Sequence, residues 1–185
     1  MKTTQTHPIT AVRRAALWLA ALLLTACSPS LAECESGCGV AIEDPAPPGA
    51  TVYLAELDMT LDAVTVNPPG LTLPALPEGQ VYLQVDVSLT CTQPVDPKYG
   101  CEVQPELFSV IAPGWVRYGY DAALNEAARA SGRALGRLDY IPTGESHSGV
   151  LIFAVDESAV EGVLAYEEPL INVLGPVRAY FSLGG

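Results

Sequence analysis

Cysteine is the residue type with the most varied chemistry in this sequence, because a thiol can carry a lipid, form a disulfide or bind a metal ion. The chain has 185 residues and five cysteines. Three follow an apolar run within about a dozen positions of one another, and the other two lie in the middle of the chain; they are Cys27, Cys34, Cys38, Cys91 and Cys101. The segments around each cysteine indicate which chemistry applies.

The first cysteine follows a segment with the layout of an export signal. Lys2, Arg13 and Arg14 are the only charged residues among the first 26, and residues 15–26 are apolar except for Thr25. A basic start and a short apolar core are typical of a signal peptide. The core is about a dozen residues long, short of the roughly 20 that a helix needs to cross a bilayer. The sequence therefore predicts a cleaved signal at residues 1–26.

The signal ends in Leu24-Thr25-Ala26-Cys27, which resembles the lipobox of bacterial lipoproteins. In that family a diacylglycerol is attached to the thiol, the chain is cut before the cysteine, and the new amino terminus is acylated. The resemblance implies that Cys27 is lipidated, with an ordinary secretory signal as the alternative. It also implies a place on the outer membrane where the cell has one, and otherwise on the outer face of the cytoplasmic membrane. The Arg13-Arg14 pair leaves twin-arginine export open beside the general secretory route.

The charge of the mature chain limits its partners. All 21 acidic residues follow Cys27, whereas only six of the nine basic residues do, so the net charge after cleavage is 6 − 21, or −15. A surface of this charge repels nucleic acid and anionic lipid headgroups. We therefore expect no nucleic-acid partner.

The four remaining cysteines are even in number and belong to an exported chain, which favours disulfides. We predict the local pairs Cys34–Cys38 and Cys91–Cys101, because each pair brackets a turn-rich loop, ESG or TQPVDPKYG. Neither pair has the C-x2-C spacing common in zinc sites, so a metal is the minor alternative and no cofactor is expected.

Composition divides the mature chain into two parts. Residues 27–50 contain SPS, two cysteines and EDPAPPGA, which predicts a flexible, proline-rich tether after the lipidated cysteine. Residues 51–185 consist of short apolar alternations separated by Gly and Pro, and they are enough for one domain with its own core.

Alternation of apolar and polar residues predicts mostly β-strands. The clearest is QVYLQVDVSLT, with every second residue from Val81 to Leu89 apolar. In the preceding segment, phase slips near Ala55 and Asp62 predict a bulge or a turn at each place. In DAALNEAARASG, Asp121 and Gly132 are placed to begin and end a short helix. We predict an all-β, antiparallel β-sandwich with one short inserted helix, and further strands at 107–111, 115–120, 150–155, 163–166 and 177–183.

The strand order and the segment YIPTGESHSGVLIFAVDES resemble a bacterial family of immunoglobulin-like lipoprotein domains of unknown function, which is similar in fold to small secreted mycobacterial antigens. The resemblance covers most of residues 50–184. It implies an immunoglobulin-like fold and an extracytoplasmic location, and it supplies no catalytic residues. The C-x9-C loop from Cys91 to Cys101 departs from the family pattern.

No motif predicts catalysis, so the chain is not expected to be an enzyme. His147 lies between two serines in GESHSG, but a nucleophile elbow would need glycine in place of Ser148. Aromatic residues and arginine are common at binding hot spots, which makes GWVRYGYD a possible binding surface, with core packing of its aromatics as the alternative. The residues concerned are Trp115, Arg117, Tyr118 and Tyr120.

The functional hypothesis is a membrane-anchored, non-catalytic recognition or structural module of the cell envelope, which binds an envelope protein or a glycan. The alternative is a periplasmic or surface carrier of a small ligand or metal ion. A copper carrier would be expected to offer several Met and His side chains, and the mature chain has only Met59 and His147. This count favours the recognition module.

Overall fold

The computed structural model describes residues 37–92, 100–168 and 177–184. These residues form ten strands, one α-helix and two short 3₁₀ turns, at Pro105–Leu107 and Glu157–Glu161. The strands are β1 Thr51–Tyr53, β2 Leu57–Val66, β3 Gln80–Cys91, β4 Cys101–Val103, β5 Phe108–Ile111, β6 Arg117–Gly119, β7 Leu138–Ile141, β8 Ser146–Asp156, β9 Val163–Glu167 and β10 Arg178–Ser182, and the helix α1 is Ala122–Ala130.

Eight of the strands form two four-stranded antiparallel sheets. The first sheet has the order β1-β2-β3-β8 and the second has the order β10-β9-β5-β6, while β4 and β7 form a separate pair. Helix α1 lies in the chain between β6 and β7. The predicted immunoglobulin-like antiparallel β-sandwich with one inserted helix is therefore confirmed.

The core lies between the two sheets and follows the alternation of the sequence. All five apolar residues of β3 at alternate positions are buried: Val81, Leu83, Val85, Val87 and Leu89. The second sheet contributes Phe108 and Tyr166, whose ring centroids lie 4.8 Å apart. The pairing of β2 with β3 shifts between Leu61 and Ala63, so of the two alternatives predicted near Asp62, a bulge or a turn, the structure has the bulge.

The outer face of the first sheet is more covered than the alternation predicts. Tyr82 and Gln84, on the side of β3 away from the core, are 9% and 4% exposed because helix α1 and the leucines of segment 71–76 pack over this half of the sheet. The alternation of β3 is typical of a half-buried strand, whereas this part of β3 is buried on both faces. Alternation alone does not show which elements later in the chain cover a sheet.

Helix α1 begins and ends as predicted. The Asp121 carboxylate accepts the backbone N–H groups of Ala123 at 2.8 Å and Leu124 at 3.2 Å, two of the donors that lack partners within the helix. Gly132, just after the helix, has a φ of 71°, a left-handed conformation that glycine adopts at low cost.

The ordered domain begins earlier than the predicted boundary at Thr51. The Ala46 N–H donates to the Tyr180 carbonyl at 2.9 Å, the Ser182 N–H donates to the Ala46 carbonyl at 2.8 Å, and the Tyr180 N–H donates to the Gly39 carbonyl at 2.7 Å. Residues 39–46 thereby pair with the edge strand β10, which would otherwise present unpaired backbone groups. The prediction of a flexible tether up to residue 50 is wrong for this stretch. Residues 27–36 of the predicted tether and the predicted signal at 1–26 lie outside the described residues.

Candidate recognition surfaces

The cysteine predictions have different outcomes. Cys91 and Cys101 form a disulfide with an S–S distance of 2.03 Å, which joins the end of β3 to the start of β4, as predicted. Cys38 is disulfide-bonded as well, but its predicted partner, Cys34, lies outside the described residues, as does Cys27. Both cysteines of the described disulfide are buried in the core, so neither offers a thiolate to a metal.

The residues considered for metal or catalytic chemistry lie apart. Met59 is fully buried between the sheets, whereas His147 is exposed in β8. Ser146 and Ser148 point to the opposite face of the strand from His147, since successive side chains of a strand alternate. Over the described stretches of chain, no three His, Cys, Asp or Glu side chains gather closely enough to hold a metal ion.

The four residues of the predicted binding surface do not share one surface. Tyr118 and Tyr120 are half-buried and pack against the core. A hydrogen bond with the Asp156 carboxylate raises the pKa of the Tyr118 hydroxyl, and burial raises that of Tyr120. Core packing therefore accounts for the two tyrosines. Trp115 and Arg117 remain exposed.

Arg117 is held in a hydrogen-bonded network on the outer face of the second sheet. Its guanidinium donates to Ser109 Oγ and to Glu167 Oε2, both at 2.7 Å, and the Tyr180 hydroxyl donates to Glu167 Oε1 at 2.7 Å. Burial works to raise the pKa of Glu167, but the hydrogen bonds from Tyr180 and Arg117 outweigh it and hold the pKa below its usual value. The charge of Arg117 is thus largely compensated within the protein.

Trp115 lies at the tip of the turn between β5 and β6. Its side chain is 69% exposed and that of Val116 is 51% exposed. The turn is closed by hydrogen bonds from the Ala112 N–H to the Val116 carbonyl at 2.8 Å and from the Trp115 N–H to the Ala112 carbonyl at 3.0 Å. Trp115 has a φ of 69°, which is uncommon for a bulky residue. The strand predicted from residue 115 therefore begins only at Arg117.

A mostly apolar groove of about 290 Å³ lies beside Trp115. It is formed by the ends of β5 and β9 together with Ile42 of the amino-terminal segment, and its principal lining side chains are Ile42, Ile111, Pro113, Trp115, Glu161 and Val163. Ile42 packs with Ile111 and Tyr180 on the outer face of the second sheet. We call Pro113, Gly114, Trp115 and Val116 the tryptophan tip.

The outer face of the first sheet carries two rows of polar side chains, all hydroxyls except the carboxylate of Asp58, in the half that helix α1 leaves uncovered. The strand register places Thr51, Thr60, Ser88 and Ser148 side by side across four strands. The next row is Tyr53, Asp58, Thr90 and Ser146. We call these two rows the hydroxyl face. With strands about 4.8 Å apart, each row is roughly 14 Å long.

Hydrogen bonds hold several of these side chains in place. Thr51 Oγ1 lies 2.8 Å from Thr60 Oγ1, and Thr90 Oγ1 lies 2.7 Å from Ser146 Oγ. Ser88 donates to Asp62 Oδ2 at 2.6 Å. Each hydroxyl has one donor and two acceptor sites, so these contacts leave capacity for a ligand.

A polar cleft of about 400 Å³ adjoins the hydroxyl face at the β8 side. Arg133, on the loop after helix α1, forms one wall, with its guanidinium 4.0 Å from the Asp86 carboxylate. The Asp86 carboxylate also accepts two hydrogen bonds from the Gln84 amide, at 3.0 and 3.1 Å. The other polar lining residues are Asp62, Ser88 and Ser148.

Neither the hydroxyl face nor the polar cleft was predicted from the sequence. The serines and threonines were visible as the outward residues of an alternating strand, but β2, β3 and β8 are distant in sequence. Only the register, with Thr60 opposite Ser88 and Ser88 opposite Ser148, aligns them. The Asp62 bulge then adds a carboxylate at the edge of the first row.

The two packed antiparallel sheets place this protein in the class of immunoglobulin-like β-sandwiches. No protein-family model matches the sequence, and no curated protein matches it at a significant level. The fold is similar to that of ycdA of Bacillus subtilis, a candidate lipoprotein, with a TM-score of 0.53 and 16% identity over 73% of this chain and 38% of that one. This chain therefore spans well under half of the Bacillus protein.

Two further solved structures resemble it more weakly. The secreted protein MPT63 of Mycobacterium tuberculosis has a TM-score of 0.42 and 13% identity, over 72% of this chain and 92% of that one. A functionally unknown protein of Listeria monocytogenes has a TM-score of 0.47 and 12% identity, over 73% and 81%. At identities this low, a structural similarity concerns the fold alone. Only the Bacillus protein has a TM-score high enough to support even that comparison.

Within the part of the chain that the structure describes, no helix has the length and apolar character needed to cross a membrane.

Proposed function

We propose that this protein is a lipid-anchored, extracytoplasmic recognition module of the cell envelope with no catalytic activity of its own. Cys27 carries the lipid, and the hydroxyl face with its polar cleft binds a neutral glycan. The observation that supports glycan binding most directly is the alignment of two rows of polar side chains on an uncovered sheet face.

The chemistry of the hydroxyl face matches that of a polyhydroxylated ligand. Ser and Thr hydroxyls both donate and accept, so they pair with sugar hydroxyls in either direction. Carboxylates such as those of Asp62 and Asp86 accept strong hydrogen bonds from hydroxyl donors. Tyr53, 74% exposed at the end of the second row, offers an aromatic ring on which the apolar side of a sugar can lie.

Charge narrows the choice of ligand further. The mature chain has a net charge of −15, and the cleft has one guanidinium, Arg133, against the carboxylates of Asp62 and Asp86. A polyanionic ligand would be repelled at such a site. A protein partner is less well matched, because the cores of protein interfaces are enriched in aromatic residues and depleted in charge.

The lipid is tested by mass spectrometry of the protein extracted from membranes. We expect an acylated amino-terminal peptide beginning at Cys27. The Cys27→Ala variant should lack the acyl groups and leave the membrane fraction. A variant that stays in the detergent phase as completely as the parent would contradict the anchor.

The glycan is tested by titrating the folded mature chain with neutral oligosaccharides, using N-acetylglucosamine and glucose tetramers as probes and a uronic-acid tetramer for comparison. We expect chemical-shift changes at Ser88, Thr90 and Ser148 with a neutral probe and none with the acidic one. Ser148→Tyr should block binding, while Arg178→Tyr, also exposed on a strand but in the second sheet, should not. Equal binding by both variants, or no response to any neutral probe, would contradict the proposal.

A further inference from the structure

We infer that the tryptophan tip inserts into the interface of the membrane that holds the lipid anchor, so that the second sheet faces the bilayer. This inference rests on the proposed lipidation of Cys27. It assigns to Trp115 the role of a membrane contact. The proposed glycan site is distinct from this membrane contact, because the hydroxyl face belongs to the first sheet.

The exposed side chains of the tip are those expected of a membrane contact. Trp115 and Val116 are 69% and 51% exposed at adjacent positions of a tight turn, and Pro113 and Gly114 before them are exposed too. Water contact of an indole is costly, and tryptophan is enriched where proteins meet the headgroup region. The tip itself contains no charged side chain, so nothing in these four residues opposes entry into the interface.

The tip lies on the side of the sandwich from which the tether departs. Ile42 lines the groove beside Trp115, and the described chain begins only five residues earlier, at Gly37. Ten peptide units separate Gly37 from Cys27, and a fully extended chain of that length spans at most about 35 Å. The acyl chains on Cys27 therefore hold Gly37 within about 35 Å of the bilayer, which gives a weak second contact of the domain a high effective concentration.

Charge determines which lipids suit such a contact. Glu161 lines the groove, and Arg117, the nearest cation in sequence, is paired with Glu167 at 2.7 Å. The mature chain as a whole is strongly acidic. The contact must therefore be apolar rather than electrostatic, and it should favour a zwitterionic surface over an anionic one.

The test uses the fluorescence of Trp115, which is the only tryptophan after residue 26, since the other is Trp18. The lipidated mature protein is reconstituted into phosphatidylcholine vesicles, with and without lipids brominated on the acyl chains. We expect a blue-shifted emission that brominated lipid quenches and aqueous iodide does not. Adding anionic phosphatidylglycerol should weaken the quenching at low salt, and salt should restore it.

Two variants provide a matched comparison. Val116→Asp keeps the tryptophan but places a charge at the tip, and it should abolish quenching by brominated lipid. Tyr53→Asp adds the same charge at a position that is 74% exposed in the first sheet, and it should leave quenching unchanged. Circular dichroism and the thermal midpoint of each variant verify that the domain remains folded.

Each outcome decides a specific point. If the amino-terminal peptide carries no lipid, the proposed anchor fails, and this is known before fluorescence is measured. If the peptide is acylated but Trp115 remains water-accessible on the vesicles, the membrane contact is wrong while the anchor stands. If the emission shifts with protein concentration in detergent and brominated lipid has no effect, the tip contacts a second copy of the chain, which also overturns the inference.

Discussion

Asn125 joins helix α1 to the free edge of the first sheet, and its replacement should be among the most destabilising changes in the domain. Its side-chain amide donates to the Ile152 carbonyl at 2.9 Å and accepts the Ile152 N–H at 2.8 Å. Both residues are fully buried. Strand β8 is the last strand of its sheet, so these two backbone groups have no neighbouring strand to pair with.

The expected magnitude follows from those two hydrogen bonds. Asn125→Leu has nearly the same size but leaves a buried N–H and a buried carbonyl unpaired, at roughly 1–3 kcal/mol each. Burial of the apolar leucine side chain offsets part of this cost, so we expect a net loss of about 2–4 kcal/mol in the free energy of unfolding. Domains of this size have about 5–15 kcal/mol in total. The loss should therefore be visible as a fall of roughly 10 °C in Tm.

Urea unfolding is the assay, because a lower midpoint at an unchanged slope reports stability alone. Glu126→Ala is the control, since the neighbouring Glu126 is exposed and makes only a surface ion pair with Arg129. It should change stability by less than about 0.5 kcal/mol. If Asn125→Leu loses no more than this control, the two backbone groups of Ile152 have found other partners and the reasoning is wrong.

Asn125→Asp separates hydrogen bonding from packing. The substituted side chain has the same size as that of Asn125, but at neutral pH a carboxylate faces the Ile152 carbonyl. Burial should raise the pKa of this carboxyl group. As the pH falls the group takes up a proton and can donate again. The deficit of this variant should therefore shrink on acidification, while that of Asn125→Leu should not. Parallel pH profiles of the two variants would contradict the assigned hydrogen bond.

Three other changes give simpler expectations. Replacing Cys91 and Cys101 together by serine should cost about 3 kcal/mol by freeing the unfolded chain, measured by urea unfolding, and peptides from the unreduced parent should be joined at these residues. Glu167→Gln should be less stable than the parent at neutral pH; the difference should begin to shrink near pH 4.5, the ordinary pKa of the group, and vanish once the pH is below the depressed pKa of Glu167 in the folded protein. Gly149→Ala should cost about 1–3 kcal/mol, since its Cβ would lie 2.7 Å from the backbone of the segment beside β8, whereas Gly119→Ala, with open space around it, should be neutral in the same unfolding assay.

Local sequence patterns predicted the local features well. The phase slip at Asp62 corresponds to the bulge in β2, and the short polar side chain of Asp121 caps helix α1. The spacing of Cys91 and Cys101 around a turn-rich loop predicted their disulfide. Each of these features is determined by residues within about ten positions of one another, so a single sequence contains the necessary information.

Features that depend on distant segments were not predicted. Gln84 is buried because helix α1, some 40 residues later, packs on its side of the sheet. Residues 39–46 have the composition of a flexible linker, yet they pair with β10 near the far end of the chain, because the open edge of that strand needs hydrogen-bond partners. Short strands such as β4 and β7 contain too few alternations to be recognised.

The proposed membrane contact of the tryptophan tip would determine which way the hydroxyl face points. A lipid on Cys27 alone would leave the domain free to turn about its tether, and the hydroxyl face would then point toward the bilayer as often as away from it. The tryptophan tip and the amino-terminal segment belong to the side of the second sheet, whereas the hydroxyl face belongs to the first. If both proposed attachments form, they fix the orientation of the sandwich, and the rows proposed to bind the glycan then face away from the membrane. Val116→Asp should consequently weaken binding to an envelope glycan at the cell surface while leaving oligosaccharide binding in solution unchanged.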